Sequence, residues 1–178
     1  MKMRKLLFIS MFLGSVFMSP VVMAVDGYKG LKFGMTKEQV LESKLCTFEE
    51  QSIGQVGVEF YGCRDFMFGG EVVLAGAYFI NGKFLRLMIV PSINVAVGLM
   101  NGLTDKYGKP SSSSTPQEFT ALDTLPNRKA FLAFDRDTIY LNLMSDENYA
   151  QSALLFYTTP TFDTLMQKVQ QKSMSSDL

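Results

Sequence analysis

Tyr78-Phe79-Ile80-Asn81-Gly82-Lys83-Phe84-Leu85 sets Asn-Gly between two apolar runs. Asn and Gly tolerate the two positive φ angles of a type I′ turn, so the stretch predicts a two-residue β-hairpin. Pairing Ile80 with Lys83 then puts Phe79 opposite Phe84, Tyr78 opposite Leu85 and Ala77 opposite Arg86. On that register one face carries Leu74, Gly76, Tyr78, Leu85, Leu87 and Ile89, and the other Val73, Ala75, Ala77, Phe79, Phe84, Arg86 and Met88. The first is the expected core face, with Gly76 leaving room for a helix to lie close. The second is unusually apolar for a surface that meets water. Either a second layer covers Phe79 and Phe84, or they form a protein-binding surface with Arg86, Met88 and Tyr140, near Tyr157.

Upstream, Cys46 to Tyr61 alternates with period two around Ser52-Ile53-Gly54, which fits a strand pair with Val56, Val58 and Phe60 on one stripe. Before it, Thr36 and Gln39 have the spacing of a capping box. The helix it opens ends near Lys44, and Met35 and Val40 are placed as a hydrophobic staple.

Downstream of Pro91, apolar residues recur at helical steps from Ile93 to Tyr107, with Asn94 as candidate N-cap and Gly108 as the stop. Ser111 to Thr115 is polar and reads as a mobile loop. Strands are expected over Ala130–Phe134, Ile139–Met144 and Ala153–Thr158, with Asp135-Arg136-Asp137-Thr138 as a turn between the first two. Ile139, Leu141 and Leu143 share a face; Tyr140 and Asn142 share the other. Pro160 to Lys172 reads as an amphipathic helix with Phe162, Leu165, Met166 and Val169 on its apolar side. The order helix, strands, helix, strands, helix predicts a single α+β domain, an antiparallel sheet with helices packed on one face.

The chain starts with Lys2, Arg4 and Lys5, then the apolar run Leu6 to Phe17, then Pro20 and Val22-Met23-Ala24. This is the order of a secretory signal, with cleavage expected after Ala24. The run is shorter than the roughly 20 residues of a membrane span. The expected organisation is therefore a signal peptide at 1–24, one domain at 25–172 and a disordered tail at 173–178. Removing 24 of the 178 residues leaves 154, and 14 basic against 17 acidic side chains, a net of −3. That balance disfavours nucleic acid and anionic membrane as partners, since both select clustered Lys and Arg.

Both cysteines, Cys46 and Cys63, fall in the exported part. There a disulfide is the expected state, with two buried thiols as the alternative. A metal half-site lacks further Cys or any His. The absence of His also removes the commonest general base and the Ser-His and Cys-His nucleophile pairs, and no local motif supports a Ser-Lys pair. Asp135 and Asp137 lack the oxygen count of a calcium loop. No cofactor or catalytic residue is expected.

At Phe33-Gly34-Met35-Thr36-Lys37-Glu38-Gln39-Val40-Leu41, followed by Cys46 and Cys63, the chain resembles the repeat unit of the secreted β-lactamase inhibitor proteins. There a Phe-Gly-Met-Thr turn opens a helix and two downstream cysteines close a small disulfide. The Gly-Met-Thr helix start is also similar to that of the small outer-membrane assembly lipoproteins. The resemblance covers residues 31–90 and implies a non-enzymatic periplasmic or secreted α/β module that binds another protein. The second half has no such turn, and no Cys stands at the cleavage site, so architecture is carried across and β-lactamase as target is not. A structural or assembly factor of the bacterial envelope is the second reading.

Overall fold

The computed structural model describes residues 24–176. Apart from Ala24, the expected signal peptide lies outside the described residues. A small antiparallel pair, β1 (Gly27–Tyr28) and β2 (Leu31–Lys32), leads into α1 (Lys37–Glu42). Thr36 accepts from the Gln39 backbone and Gln39 reaches back, completing the expected capping box. The turn before it docks on the neighbouring hairpin: Gly34 N–H donates to the Phe84 carbonyl at 2.8 Å, and Phe84 N–H to the Met35 carbonyl at 2.9 Å. Gly34 has φ of 88°, so its missing Cβ permits this arrangement.

Next come β3 (Glu49–Gln51), β4 (Val58–Phe68), β5 (Glu71–Ile80) and β6 (Lys83–Val90). A 3₁₀ turn (Ile93–Val95) runs into α2 (Ala96–Tyr107), then β7 (Ser112–Ser113), α3 (Pro116–Thr124), β8 (Lys129–Phe134), β9 (Ile139–Ser145), β10 (Gln151–Thr158) and α4 (Phe162–Ser176). The eight strands β3 to β10 form one antiparallel sheet in the order β3-β4-β5-β6-β10-β9-β8-β7. Two hairpin-built halves thus meet at the β6–β10 seam, and the domain is α+β as expected.

Asn81 (φ 53°) and Gly82 (φ 68°) take the two positive angles of the hairpin turn. Ile80 pairs with Lys83 and Phe79 with Phe84, but Tyr78 then pairs with Arg86, not with Leu85, and Ala77 with Leu87. A bulge at Leu85 inserts one extra residue into β6, and with a side-chain period of two, one residue is enough to exchange faces. The expected core face is therefore corrected. Ala75, Ala77 and Phe79 face inward together with Phe84, Leu87 and Ile89, while Leu74, Gly76 and Tyr78 face the opposite way. Gly76 makes room for an aromatic ring and not for a helix: a Cβ built there would lie 2.2 Å from Phe60.

Helices α1, α2 and α3 contribute Val40, Ala96, Leu103 and Leu122 to the core on this inward face, joined by Ile139, Leu141, Leu143 and Leu155. Helix α4 lies on the other face, where Phe162, Leu165, Met166 and Val169 pack on Val58, Tyr78, Ile80 and Leu85. It reaches Ser176, so residues 173–176, expected as tail, continue the helix. The Ser111–Thr115 stretch, expected as a mobile loop, holds edge strand β7, with Ser111 N–H donating to the Ala133 carbonyl and Ser114 N–H to that of Phe131. Thr115 caps α3 through a second capping box with Glu118. Ser92 caps the 3₁₀ turn, its hydroxyl accepting from Asn94 N–H, and α2 follows from Val95 without a side-chain cap, so Asn94 is a capped residue and not the cap.

Cys46 and Cys63 are disulfide-bonded. The bond ties the segment after α1 to the middle of β4, and closing a loop of this length contributes about 3 kcal/mol in the chain-entropy model. Beside it Asp65 accepts from the Thr47 N–H and hydroxyl, which lowers the Asp65 pKa. Among the described residues no helix is long and apolar enough to cross a membrane.

Candidate functional site

Alternation along each strand gives the sheet a second face, and α4 covers only one end of it. In register across the uncovered part run Gly62, Gly76, Met88, Phe156 and Tyr140, one residue from each of five successive strands. A neighbouring row places Leu154 beside Asn142 and Asn142 beside Phe131. Toward the β4–β5 end, Met67, Val72 and Leu74 are at least half exposed. Glycine at both 62 and 76 keeps this end low, because the Gln51 and Phe60 side chains fold into the space that Cβ atoms would take.

Two concavities flank Met88. One, of about 180 Å³, is lined by Gln51, Phe60, Gly62, Arg64, Leu74 and Met88, among others. The other, of about 340 Å³, is lined by Arg86, Phe131, Tyr140, Asn142, Phe156 and Asp163. The second has a defined polar wall. The Arg86 guanidinium donates to the Thr158 hydroxyl at 3.0 Å and to the Asp163 carboxylate at 2.9 Å. Its Cζ lies 3.7 Å from the Phe162 ring centroid and 5.5 Å from that of Phe156. Helix α4 thus supplies both an aromatic platform and a counter-ion for a residue of β6.

Burial draws the Arg86 pKa below its ordinary value, opposed by Asp163. Burial also raises the Tyr140 pKa; the carboxylates of Asp137 and Asp163 push the same way and Arg86 opposes them. Tyr140 is therefore a neutral hydroxyl at physiological pH, able to donate and to accept. The site offers an amide, a phenol and a paired guanidinium over an aromatic floor. This is equipment for holding a side chain through packing and hydrogen bonds. One grouping of three metal-ligating side chains occurs among the described residues, Cys46, Cys63 and Asp65, and there both sulfurs are committed to each other.

The expected partner-binding residues divide. Arg86, Met88 and Tyr140 lie on the same outward face, partly buried, with Arg86 at the edge that α4 covers. Phe79 and Phe84 do not: both are fully buried in the core on the opposite face, so they are removed from the candidate surface. Phe156, Asn142, Phe131 and Asp163 join the site. Of these, Asn142 is legible beside Tyr140 from strand alternation, whereas Phe156 sits in the run Ala153-Leu154-Leu155-Phe156-Tyr157, apolar on both faces and so without a signal of which side is open.

A family model described as "Uncharacterised protein" matches residues 28–177. The chain is 30% identical over 159 residues to a Haemophilus influenzae protein described as "Uncharacterized protein", with 87% of this chain and 88% of the relative covered. A Pasteurella multocida protein described as "Uncharacterized protein PM0314" is 28% identical over 181 residues, covering 89% of this chain and 91% of the relative. No solved structure matches the chain. Since the family model spans the domain from Tyr28 through α4, this chain belongs to that family.

Proposed function

We propose that this is an exported, non-enzymatic binding module that engages another protein of the cell envelope through the uncovered face of its sheet. The observation that carries the reading is the row Met88, Phe156 and Tyr140, apolar and aromatic groups left partly accessible between two concavities. The occupant is an apolar or aromatic side chain on an extended or loop segment of a partner. The larger concavity has room for one such group, and Asn142 and Tyr140 stand ready for backbone hydrogen bonds. Charge favours protein over nucleic acid or anionic lipid: Arg86 is already paired with Asp163, and the exported chain carries a net of −3.

Export is supported by the leader pattern at residues 1–24 and by the Cys46–Cys63 disulfide, a bond that persists in oxidising compartments. On this reading the signal is cleaved after Ala24 and the protein works in the periplasm or beyond.

The test places a photo-crosslinking residue at Met88, and at exposed Gln117 of α3 as control, in the native periplasm. A partner captured from Met88 and absent from Gln117 is then purified and its affinity measured for the unmodified protein and for Met88→Asp. At least tenfold weaker binding by a still folded Met88→Asp supports the reading. Equal affinity, equal capture from both positions, or capture of a second copy alone overturns it.

A further inference from the structure

The backbone nitrogen of Val25 donates a hydrogen bond to Asp135 Oδ2, 110 residues further along the chain. Asp135 opens the turn between β8 and β9, where Asp135, Arg136 and Asp137 all adopt left-handed backbone angles, with φ of 50°, 56° and 63°. Three consecutive non-glycine residues in this region are held against the steric preference of L side chains. Their restraints come from several directions. The hydroxyl of fully buried Thr138 donates within reach of both Asp135 Oδ2 (3.0 Å) and the Asp135 carbonyl (2.8 Å). Asp137 accepts from the Ser111 and Ser112 hydroxyls of the β7 edge. The Val25 nitrogen completes this set from the N-terminal side.

The segment carrying that nitrogen is itself docked. Val25 packs on the main core, and the Tyr28 ring packs, tilted, against that of Tyr157 of β10 with centroids 4.7 Å apart. Val25 is also the residue that cleavage after Ala24 would expose.

We propose that removal of the leader turns this contact into an ion pair, with the freed α-ammonium of Val25 seated on the Asp135 carboxylate and locking the β8–β9 turn to the N-terminal segment. Hydrolysis breaks the Ala24 C–Val25 N bond, and water supplies the oxygen that leaves Ala24 as a carboxylate and the protons that make the nitrogen an ammonium. A peptide N–H is a neutral donor with one hydrogen. The ammonium carries three and a full charge opposite a carboxylate already in place, and charge-assisted bonds of this kind are the strong ones. An α-amino group ordinarily titrates at about 7.7–8.0, so it is charged at neutral pH. Processing would thus finish the fold, giving a mature protein more stable than its precursor.

The inference rests on the cleavage reading above, and the experiment separates the two. The mature chain is produced with Val25 first, in a free-amine form and an Nα-acetylated form, each also as Asp135→Asn. The free amine is expected to raise the melting temperature by about 3 °C over the acetylated chain, the equivalent of roughly 1 kcal/mol at this size, and Asp135→Asn is expected to abolish the difference. Equal melting of the free and acetylated chains, or a difference that persists in Asp135→Asn, overturns the ion pair while leaving cleavage intact. A mass for the periplasmic protein that does not begin at Val25 removes the cleavage reading, and the proposal with it.

Discussion

Phe79 and Phe156 sit in the same sheet, on strands separated by β6, and point to opposite sides. Phe79 is fully buried against Tyr61 and Phe84, beneath the side where α1, α2 and α3 pack. Phe156 is partly exposed, with the Arg86 guanidinium near its ring and Tyr140 beside it. What separates a core phenylalanine from a surface one here is the number of helices on its side, three against one. The uncovered face keeps apolar residues without the layer that elsewhere hides them, and the proposed binding role rests on that difference.

The contrast can be broken most forcefully by truncation. Phe79→Ala is expected to cost about 3–5 kcal/mol, the range for emptying a buried aromatic site, and Phe156→Ala less, about 2 kcal/mol, because its ring is only partly buried. Urea unfolding of the two variants measures both, and comparable losses would mean that the two faces are equally buried in solution. Gly76→Ala is smaller in atoms and sharper in meaning. Its Cβ would meet the Phe60 ring at 2.2 Å, so the ring must move, at about 1–3 kcal/mol. A neutral result by the same measurement would show that Phe60 does not fill the trough.

The smallest effect is a pH dependence centred on the covered side. Burial, with a contribution from Tyr107, pushes the Tyr28 phenol up to about 12, and burial raises its neighbour Tyr157 too. The unfolded phenol ionises near pH 10 while the folded one stays neutral, so the folded state binds more protons above pH 10. Stability from these groups is therefore complete below pH 10 and falls as pH rises toward 12. Thermal melts from pH 9 to 12 should show a decline that Tyr28→Phe makes shallower, and an unchanged slope would remove Tyr28 as its source.

Legibility in the sequence followed the range of the interactions. The Asn81-Gly82 turn and the Thr36–Gln39 capping box involve residues at most three apart, and both appear as read. The Thr115-Pro116-Gln117-Glu118 cap was equally local and carried the same signal, with Pro at the first helical turn to strengthen it; the polar serines before it drew the reading toward a loop. The Leu85 bulge left no such mark. Both faces of β5 and β6 are apolar enough to serve as core, so alternation alone does not choose between them. The choice is made by Phe84, which joins Phe33 and Phe79 on the inward side, and by α4, which takes Leu85.

The same division holds for the candidate site. Arg86, Met88 and Tyr140 could be named from strand period and residue type, since those properties are local. That Phe156 and Asp163 would meet them depends on β10 returning to pair with β6 and on α4 crossing to the far side, contacts made between residues 66 to 77 apart in the chain. By itself the sequence determined the Thr36 capping box, the Asn81-Gly82 turn, the main strands and the α+β class, because each rests on steric and hydrogen-bonding preferences within a few residues. Only the tertiary structure decided which side of the sheet is core and which is open, because that depends on where helices far along the chain find apolar surface to cover.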